Sequence, residues 1–178
     1  PHKAFEKDEE ELEKRTKQLV NEKTSREIFA ELKKGDNLKK LEDGGTWQCV
    51  MDVVCALVDT RPKKDLPSTR EPYPFNKRED VRKNLYNNLE HVAEELSTKE
   101  GRAAFDDDRL FRVHERLKAY ALTAKKLRGD SKKEPPAYTL YVWLKMLSDH
   151  RVVRLMLRAR DRRMAREETD LKDANRAC

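Results

Sequence analysis

Residues 46–59, which read TWQCVMDVVCALVD, are apolar on nearly every side when they are drawn as a helix, and they carry few charges. A helix that is hydrophobic all round lies inside a protein rather than on its surface. The β-branched residues of this run would also suit a strand, but nothing else in the chain offers a strand to pair with, and the run is long for one. The stretch therefore predicts a central buried helix.

Amphipathic helices are predicted on both sides of this central helix. Thr24 and Glu27 have the spacing of a capping box, which predicts that a helix starts there and ends before Gly35. Asn76 and Glu79 have the same spacing and precede a longer helical pattern. The expected core residues of these two helices are Ile28, Phe29, Leu32, Val81, Leu85, Leu89, Val92 and Leu96.

A third amphipathic pattern follows the acidic residues 106–108 and continues to Leu127, before Gly129. Acidic side chains at the start of a helix are explained by capping and by the helix dipole. We therefore interpret the three acids as structural and predict one helix of about twenty residues after them.

The composition favours helices throughout. Charged residues are 42% of the chain, hydrophobic residues are 37%, and there are five glycines. Helices with charged, solvated faces fit this balance better than sandwiches or barrels, which need many tight turns. We predict an all-α fold of about six helices, arranged as antiparallel helical hairpins or as an irregular bundle.

The chain is predicted to form a single α-helical domain over residues 1–178. Four prolines predict an internal loop at residues 60–76. This loop separates an N-terminal helical part, residues 3–59, from a C-terminal helical part, residues 77–170.

The opening segment has apolar residues every seven positions, at Phe5, Leu12 and Leu19. The positions where a second apolar row should fall are polar, so the seam of a coiled coil is incomplete. A solvated helix that lies on the core is the better interpretation.

Residues 150–166, HRVVRLMLRARDRRMAR, contain seven arginines and one aspartate, so this segment alone carries the formal net charge of +6 of the whole chain. A break near residues 148–150 is predicted to start it as a separate helix. Val153, Leu157 and Met164 are expected on one side of that helix. Opposite them, at steps of three and four, lie Arg151, Arg154, Arg158, Arg162 and Arg166.

Arginine forks bind carboxylates and phosphates through two parallel hydrogen bonds, so this row is the candidate surface for a partner protein or a phosphate backbone. The alternative is a solvated face that acids of the same fold, such as Glu167, Glu168 and Asp170, neutralise. Arginine rather than lysine at these positions favours the binding role, because lysine would serve a solvated face equally well.

Three aromatic residues near lysines form a second candidate site. Tyr138, Tyr141 and Trp143 would stack on nucleic-acid bases if their rings were exposed. Aromatic residues at helical spacing are more often core residues, which is the alternative.

Signatures of catalysis and of metal binding are scarce. The sequence has no glycine-rich phosphate loop, no serine elbow, no HExxH motif and no paired CxxC motif. His114 with Glu115 and Asp108 can be drawn as a metal site, but a histidine on the flank of an amphipathic helix explains it better. We expect no enzyme activity, no cofactor, no metal and no small-molecule substrate.

Three cysteines indicate a reducing environment. Cys49 and Cys55 are six residues apart in the predicted central helix and point to different faces, and Cys178 leaves the number odd. Free thiols predict an intracellular protein, in the cytoplasm or the nucleus. The longest apolar run, residues 53–58, is far too short to span a membrane.

One segment resembles a known family. Val153 to Leu157, read as VRLML and followed by Asp161 and Arg162, is similar to the final helix of MIF4G domains, the HEAT-like middle domains of translation-initiation scaffolds. The resemblance implies a stack of helical hairpins that binds RNA helicases and RNA. It covers about ten residues, and the remaining helices do not follow the family's spacing.

Two classes of function agree with these observations, and a third is compatible with them. The first is a non-enzymatic adaptor or scaffold domain that binds another protein through a helical groove or through the arginine face. The alternative is an RNA or nucleic-acid binder that uses the arginine row on phosphates. A viral or chromosomal structural protein that self-associates is the third.

Overall fold

The structure, a computed structural model, describes residues 10–11, 13–18, 21–35, 46–61, 63–67, 73, 79–128 and 136–177. Every regular element in these ranges is helical, which confirms the predicted all-α fold. The helices are α1 (Glu22–Leu32), α2 (Thr46–Val58), α3 (Glu79–Lys83), α4 (Leu85–Ser97), α5 (Lys99–Ala104), α6 (Asp107–Ala119), α7 (Ala124–Arg128) and α8 (Pro136–Ala177). Residues 10, 11 and 13–18 are also helical, and a 3₁₀ turn covers Lys63–Asp65.

Helix α2 lies at the centre of the molecule, as its sequence predicts. Every residue from Val50 to Leu57 is buried, and the helix contacts α4, α6 and α8. Buried residues of every other numbered helix except α5 join it in one hydrophobic cluster. A helix with no polar face is therefore stable here because other helices cover it on several sides.

Helix α6 packs antiparallel against both α2 and α8. Tyr120, which follows the last residue of α6, lies beside the middle of α2, where its hydroxyl donates to Asp52 Oδ2 at 2.8 Å. The first turn of α6 is near the end of α2, where Arg109 Nε donates to the Leu57 carbonyl at 2.7 Å. Neighbours that run in opposite directions are the arrangement expected of helical hairpins.

Helix α1 joins α4 to α8. The Tyr86 hydroxyl of α4 donates to the Leu32 carbonyl at 2.8 Å. On the α8 side, the rings of Phe29 and Trp143 meet edge to face with centroids 5.1 Å apart, and Trp143 Nε1 donates to Ser25 Oγ at 3.0 Å. The buried Phe29 and Leu32 confirm two predicted core residues, whereas Ile28 is only partly buried.

Two of the predicted helices differ from those in the structure. Helix α1 starts before Thr24, because Asn21 Oδ1 accepts from the backbone N–H groups of Lys23 and Thr24 and is the real N-cap. The helix predicted after Asn76 is divided at Asn84 into α3 and α4, although its expected core residues are all buried. Asn76 itself lies outside the described residues.

The helix predicted from residue 106 to Leu127 is also divided. Ala121 adopts a left-handed conformation, with φ of 48°, and ends α6. Thr123 then starts α7, with its hydroxyl accepting from the Lys126 N–H at 3.2 Å. These divisions, together with α5, explain why eight α-helices appear in the described ranges where about six were predicted.

The break predicted near residues 148–150 is absent. Helix α8 runs without interruption for 42 residues. Ser148, Asp149 and His150 include neither glycine nor proline, and Lys145 pairs with Asp149 across one turn at 3.2 Å. The arginine segment therefore belongs to the same helix as the aromatic segment.

The proline-rich loop at residues 60–76 is described only in part. Within it, Tyr73 is fully buried, and the Arg116 guanidinium lies over its ring at 4.3 Å from the centroid. This point of the loop therefore packs on α6. The side chains of Phe5, Leu12, Leu19 and Trp47, and Cys178, lie outside the described residues.

Candidate functional site

Helix α8 carries the predicted site, and its surroundings change along its length. Its first turns lie in the core, and Arg160 is its last buried residue. Residues 161–177, which we call the arm, are exposed apart from the half-buried Met164. At 1.5 Å per residue the arm spans about 25 Å. The site is thus built where α8 leaves the core.

Arg154 does not face solvent, so the predicted row of five exposed arginines is wrong at this position. Its side chain is buried, and Nη2 donates to the carbonyl oxygens of Ala103 and Phe105 at the end of α5. Carbonyls in the last turn of a helix have no partner within that helix, and a guanidinium satisfies them. Burial, and the charge of Arg158, lower the pKa of Arg154.

Arg151 and Arg158 both approach Asp107 in the first turn of α6. Arg151 Nη2 is 4.0 Å from Asp107 Oδ2, and Arg158 Nη1 is 3.9 Å from Asp107 Oδ1. Arg151 also lies over the ring of Phe111, with its Cζ 4.9 Å from the centroid, and 17% of its side chain is exposed. Because Arg158 keeps 44% exposure, it can contact a partner, whereas Arg151 is largely held by the fold.

Arg162 and Arg166 lie on the arm and are exposed, as predicted for them. Within the described residues, neither is within 4 Å of a carboxylate. Arg163, which the predicted row omits, is exposed as well. The buried Arg160 differs from these, because its Nη2 donates to Asp161 Oδ1 at 3.2 Å.

The aromatic residues of the second candidate site pack into the core. Trp143 is 1% exposed and Tyr141 is buried, while Tyr138 is partly buried against the same cluster. Trp143 is also held by its hydrogen bond to Ser25. A base cannot stack on the Trp143 ring unless this part of the core opens.

Four apolar side chains that the sequence analysis did not single out are exposed beside the arginines. They are Phe111 of α6 and Val152, Leu155 and Met156 of α8, with exposed fractions between 37% and 50%. The three residues of α8 share one face because they are three and four residues apart. Phe111 lies under Arg151 on the neighbouring helix. We call these four residues the apolar patch.

Three buried arginines of α6 were also missed. Arg109 and Arg112 donate to the carbonyl oxygens of Leu57 and Asp59, at 2.7 and 2.8 Å, and so close the C-terminal end of α2. Arg116 is 2% exposed. Arg109 and Arg112 therefore hold α6 on α2, and Arg116 holds the Tyr73 ring, so these buried guanidinium groups are not offered to a partner.

Two other polar groups of the interior, Tyr120 and His114, have structural partners. Burial, then the hydrogen bond to the Asp52 carboxylate, raises the pKa of Tyr120. His114 Nδ1 lies 2.8 Å from Ser148 Oγ. No group of three histidine, cysteine or acidic side chains in the described ranges is arranged to hold a metal ion.

A groove, the other predicted binding feature, lies between α1 and α4. Its walls are Arg26, Phe29, Glu90, Ala93 and Glu94, and its volume is about 190 Å³. Pockets for small organic ligands usually measure about 300–1,000 Å³ and are mostly apolar. This groove is smaller and mostly charged, so the surface of α8 is the stronger candidate.

No helix in the described part of the chain has the length and apolar character needed to cross a membrane. The resemblance to MIF4G domains is confined to one segment of α8. Compared with models of protein families, with curated proteins and with solved structures, the chain finds no match.

Proposed function

We propose that this chain is a non-enzymatic helical adaptor domain that binds an acidic amphipathic segment of another protein. The observation that carries the proposal is the apolar patch together with the exposed Arg158 and Arg162, one and two turns along the same helix. Protein interfaces combine a small apolar centre with a polar rim, and arginine is enriched in them.

The chemistry of this surface specifies the chemistry of the partner. An amphipathic helix that lays its apolar face on a partner does so through residues at i, i+3, i+4 and i+7. Carboxylates beside that face would meet the guanidinium groups of Arg158 and Arg162 in bidentate pairs. The expected ligand is therefore a helix with leucine-like anchors flanked by aspartate or glutamate.

Nucleic acid is the alternative ligand for the arginines. Phosphate contacts by the exposed arginines of α8 would support it. Two observations favour a protein instead. Trp143 is held in the core, and Glu167, Glu168, Asp170 and Asp173 follow the arginines on the arm, where they would repel a phosphate backbone.

A selection from a library of randomised helical peptides on the immobilised chain tests the proposal. We expect enrichment of peptides with apolar residues at helical spacing and flanking carboxylates. Leu155→Asp should weaken binding of an enriched peptide at least about tenfold, because it puts a charge into the patch. Leu171→Asp is the matched control, because Leu171 is 66% exposed and lies on another face of α8, and it should bind as the parent does.

Two results would count against the adaptor. One is equal peptide binding by the Leu155→Asp chain and the parent. The other is tight binding of single- or double-stranded RNA or DNA in a fluorescence-anisotropy titration that falls steeply with salt and is lost in Arg162→Glu. That second result would establish the nucleic-acid alternative.

A further inference from the structure

One face of α8 stays open to solvent from the core to the arm. Its residues follow one another at alternating steps of four and three, which is the heptad spacing of a coiled coil. The face begins with Lys145 and Asp149, whose side chains keep 51% and 38% exposure. It ends on the arm with Arg163, Arg166 and Asp170, which are exposed. Both ends of the face are therefore charged.

The middle of this face is apolar. Val152 and Met156 are 46% and 50% exposed, and the exposed Ala159 follows them at the same spacing. Leu155, which is 39% exposed, flanks them. We call the whole face, from Lys145 to Asp170, the seam. A helix that covers its centre removes apolar surface from water, which is favourable.

We propose that the seam pairs with the seam of a second copy of this chain, in antiparallel orientation, with the two-fold axis between residues 157 and 158. Lys145 then lies opposite the partner's Asp170, and Asp149 lies opposite the partner's Arg166. The axis repeats each pair at the other end of the contact. Opposite charges thus meet at both ends.

The centre of this dimer is an apolar contact. Met156 lies opposite the partner's Ala159, and the axis brings both residues of both copies together. Val152 lies opposite the partner's Arg163, whose aliphatic stem covers it while the guanidinium reaches solvent. Leu155 flanks the same contact. The apolar centre carries the association, and no charged residue of the seam lies against its own copy.

The arginines that the fold already holds point away from the second copy. Arg154 donates to carbonyl groups of α5, and Arg151 and Arg158 approach Asp107 of α6. These three lie roughly 100° or more around the helix axis from the middle of the seam. The pairing therefore does not bring these arginines together across the axis.

The charges of the seam select one register. A shift by one heptad in one direction places Lys145 opposite the partner's Arg163, and a shift in the other direction places Asp149 opposite the partner's Asp173. A parallel pair in register places every charge opposite its own copy. Like charges that meet in this way are unfavourable, so these alternatives are less stable than the proposed register.

A two-fold pairing closes, so it predicts dimers and not filaments. The contact covers Val152, Leu155 and Met156 of the apolar patch. Dimerisation and binding of an acidic helix to the patch therefore exclude each other. Self-association would thereby regulate access to the patch, although the dimer itself does not depend on the adaptor function.

Sedimentation velocity on the full chain, from about 1 to 200 μM and at about 50 and 500 mM salt, gives the first test. We expect a monomer–dimer equilibrium that weakens at high salt but persists, because salt screens the ion pairs and not the apolar centre. A monomer at every concentration in low salt would overturn the proposal.

Charge reversal tests the register. Lys145→Glu and Asp170→Lys each place like charges opposite each other twice, so each variant should dimerise about tenfold more weakly at low salt. An equimolar mixture of the two should form a heterodimer with the parent's affinity, and so should a chain that carries both changes. Circular dichroism should show that the helices are kept, because Lys and Glu are good helix formers. If neither combination restores the affinity, the register is wrong.

A matched control separates pairing from net charge. Lys172→Glu makes the same change of charge as Lys145→Glu, at an exposed position of the arm outside the seam. This variant should dimerise as the parent does. Equal weakening by Lys172→Glu and Lys145→Glu would count against the pairing.

A peptide selected on the apolar patch separates the two proposals. The peptide should bind Lys145→Glu as it binds the parent, because Lys145 lies outside the patch, and it should dissociate the parent's dimer. Peptide binding by a chain that never dimerises would leave the adaptor and refute the dimer. A dimer without peptide binding would do the reverse, and a dimer that stays intact with the peptide bound would show that the seam is not the interface.

Discussion

His150 is a histidine enclosed by the protein on every side. It is 2% exposed, and neither ring nitrogen has a hydrogen-bond partner among the described residues. Burial, then the charges of Arg154 on its own helix and of Arg102 on α5, lowers the pKa of His150 to about 4. The side chain is therefore neutral at physiological pH.

This environment makes the stability of the fold depend on pH. Well above pH 6.5, the ordinary pKa, His150 is neutral in both the folded and the unfolded chain, and its contribution is full. As the pH falls from 6.5 to about 4, the unfolded chain binds a proton that the folded chain does not, so stability decreases. At about pH 4, this decrease in the free energy of unfolding reaches about 3 kcal/mol. Urea unfolding at a series of pH values measures it.

His150→Leu should remove this component of the pH dependence while keeping the stability at pH 7, because the lost ring nitrogens made no hydrogen bond. Acidic residues also titrate below pH 5, so the difference between variant and parent is the relevant quantity. If the free energy of unfolding depends on pH in the same way in His150→Leu and in the parent, the interpretation is wrong.

The burial of several arginines could not be predicted from the sequence. Arginine is usually found on the surface, so a row at helical spacing predicts a solvated or binding face. Arg109, Arg112 and Arg154 are instead buried because carbonyl groups at the ends of α2 and α5 need donors. These contacts depend on how the end of one helix lies against another helix. That arrangement is a property of the tertiary structure, and no local pattern in this chain encodes it.

At the scale of elements, the turn between α6 and α7 depends on one residue. Ala121 has φ of 48°, the Leu122 N–H donates to the Leu117 carbonyl at 3.2 Å, and the Ala121 N–H donates to the Lys118 carbonyl at 3.0 Å. These two bonds are those of a common helix C-terminus, in which glycine usually takes the left-handed position. A Cβ atom makes that conformation unfavourable by roughly 1–2 kcal/mol.

Ala121→Gly should therefore stabilise the protein, by about 0.5–1 kcal/mol after the flexibility of glycine in the unfolded chain is counted. Ala30→Gly, at an exposed position inside α1, should lower stability by about 1 kcal/mol. Thermal or urea unfolding of both variants checks the opposite signs. If Ala121→Gly is also destabilising, the left-handed turn is not present in solution.

The false break in α8 explains how the apolar patch was missed. Read as one helix, the buried leucines at 140, 144 and 147 continue at steps of three and four into Arg151, Arg154 and Arg158. The first arginines therefore start on the buried side. Val152, Leu155 and Met156 follow on a different face, toward solvent. The sequence contains this information, but only if the helix is known to be continuous.

At the scale of the whole molecule, the core and the arm are expected to be energetically separate. Deleting residues 165–177, all of them exposed, should shift the midpoint of thermal unfolding by no more than about 2 °C. Scanning calorimetry measures this midpoint. A large loss of thermal stability would mean that the arm packs on the core.

Sequence patterns predicted the helical class, the central helix α2, two core residues of α1 and the core residues of α4. These features depend on hydrophobic periodicity, which is local. The turns at Asn84 and Ala121, and the short helix α5, were not predicted. Asn84 and Ala121 carry no strong break signal, and α5 depends on Gly101, whose missing Cβ leaves room for the Glu95 carbonyl. Such close approaches are settled by packing between elements.

The continuity of α8 also gives the molecule a fixed length scale. Trp143 lies in the core, and the same unbroken backbone hydrogen bonds run from there to residue 177, with no glycine and no proline after Pro136. A helix of this kind acts as a semi-rigid spacer of about 1.5 Å per residue. Whatever binds the arm is held at a set distance and rotation from the globule. On a flexible tether, the side chains of the arm would sample many positions relative to the core. On this helix, their positions and directions are fixed.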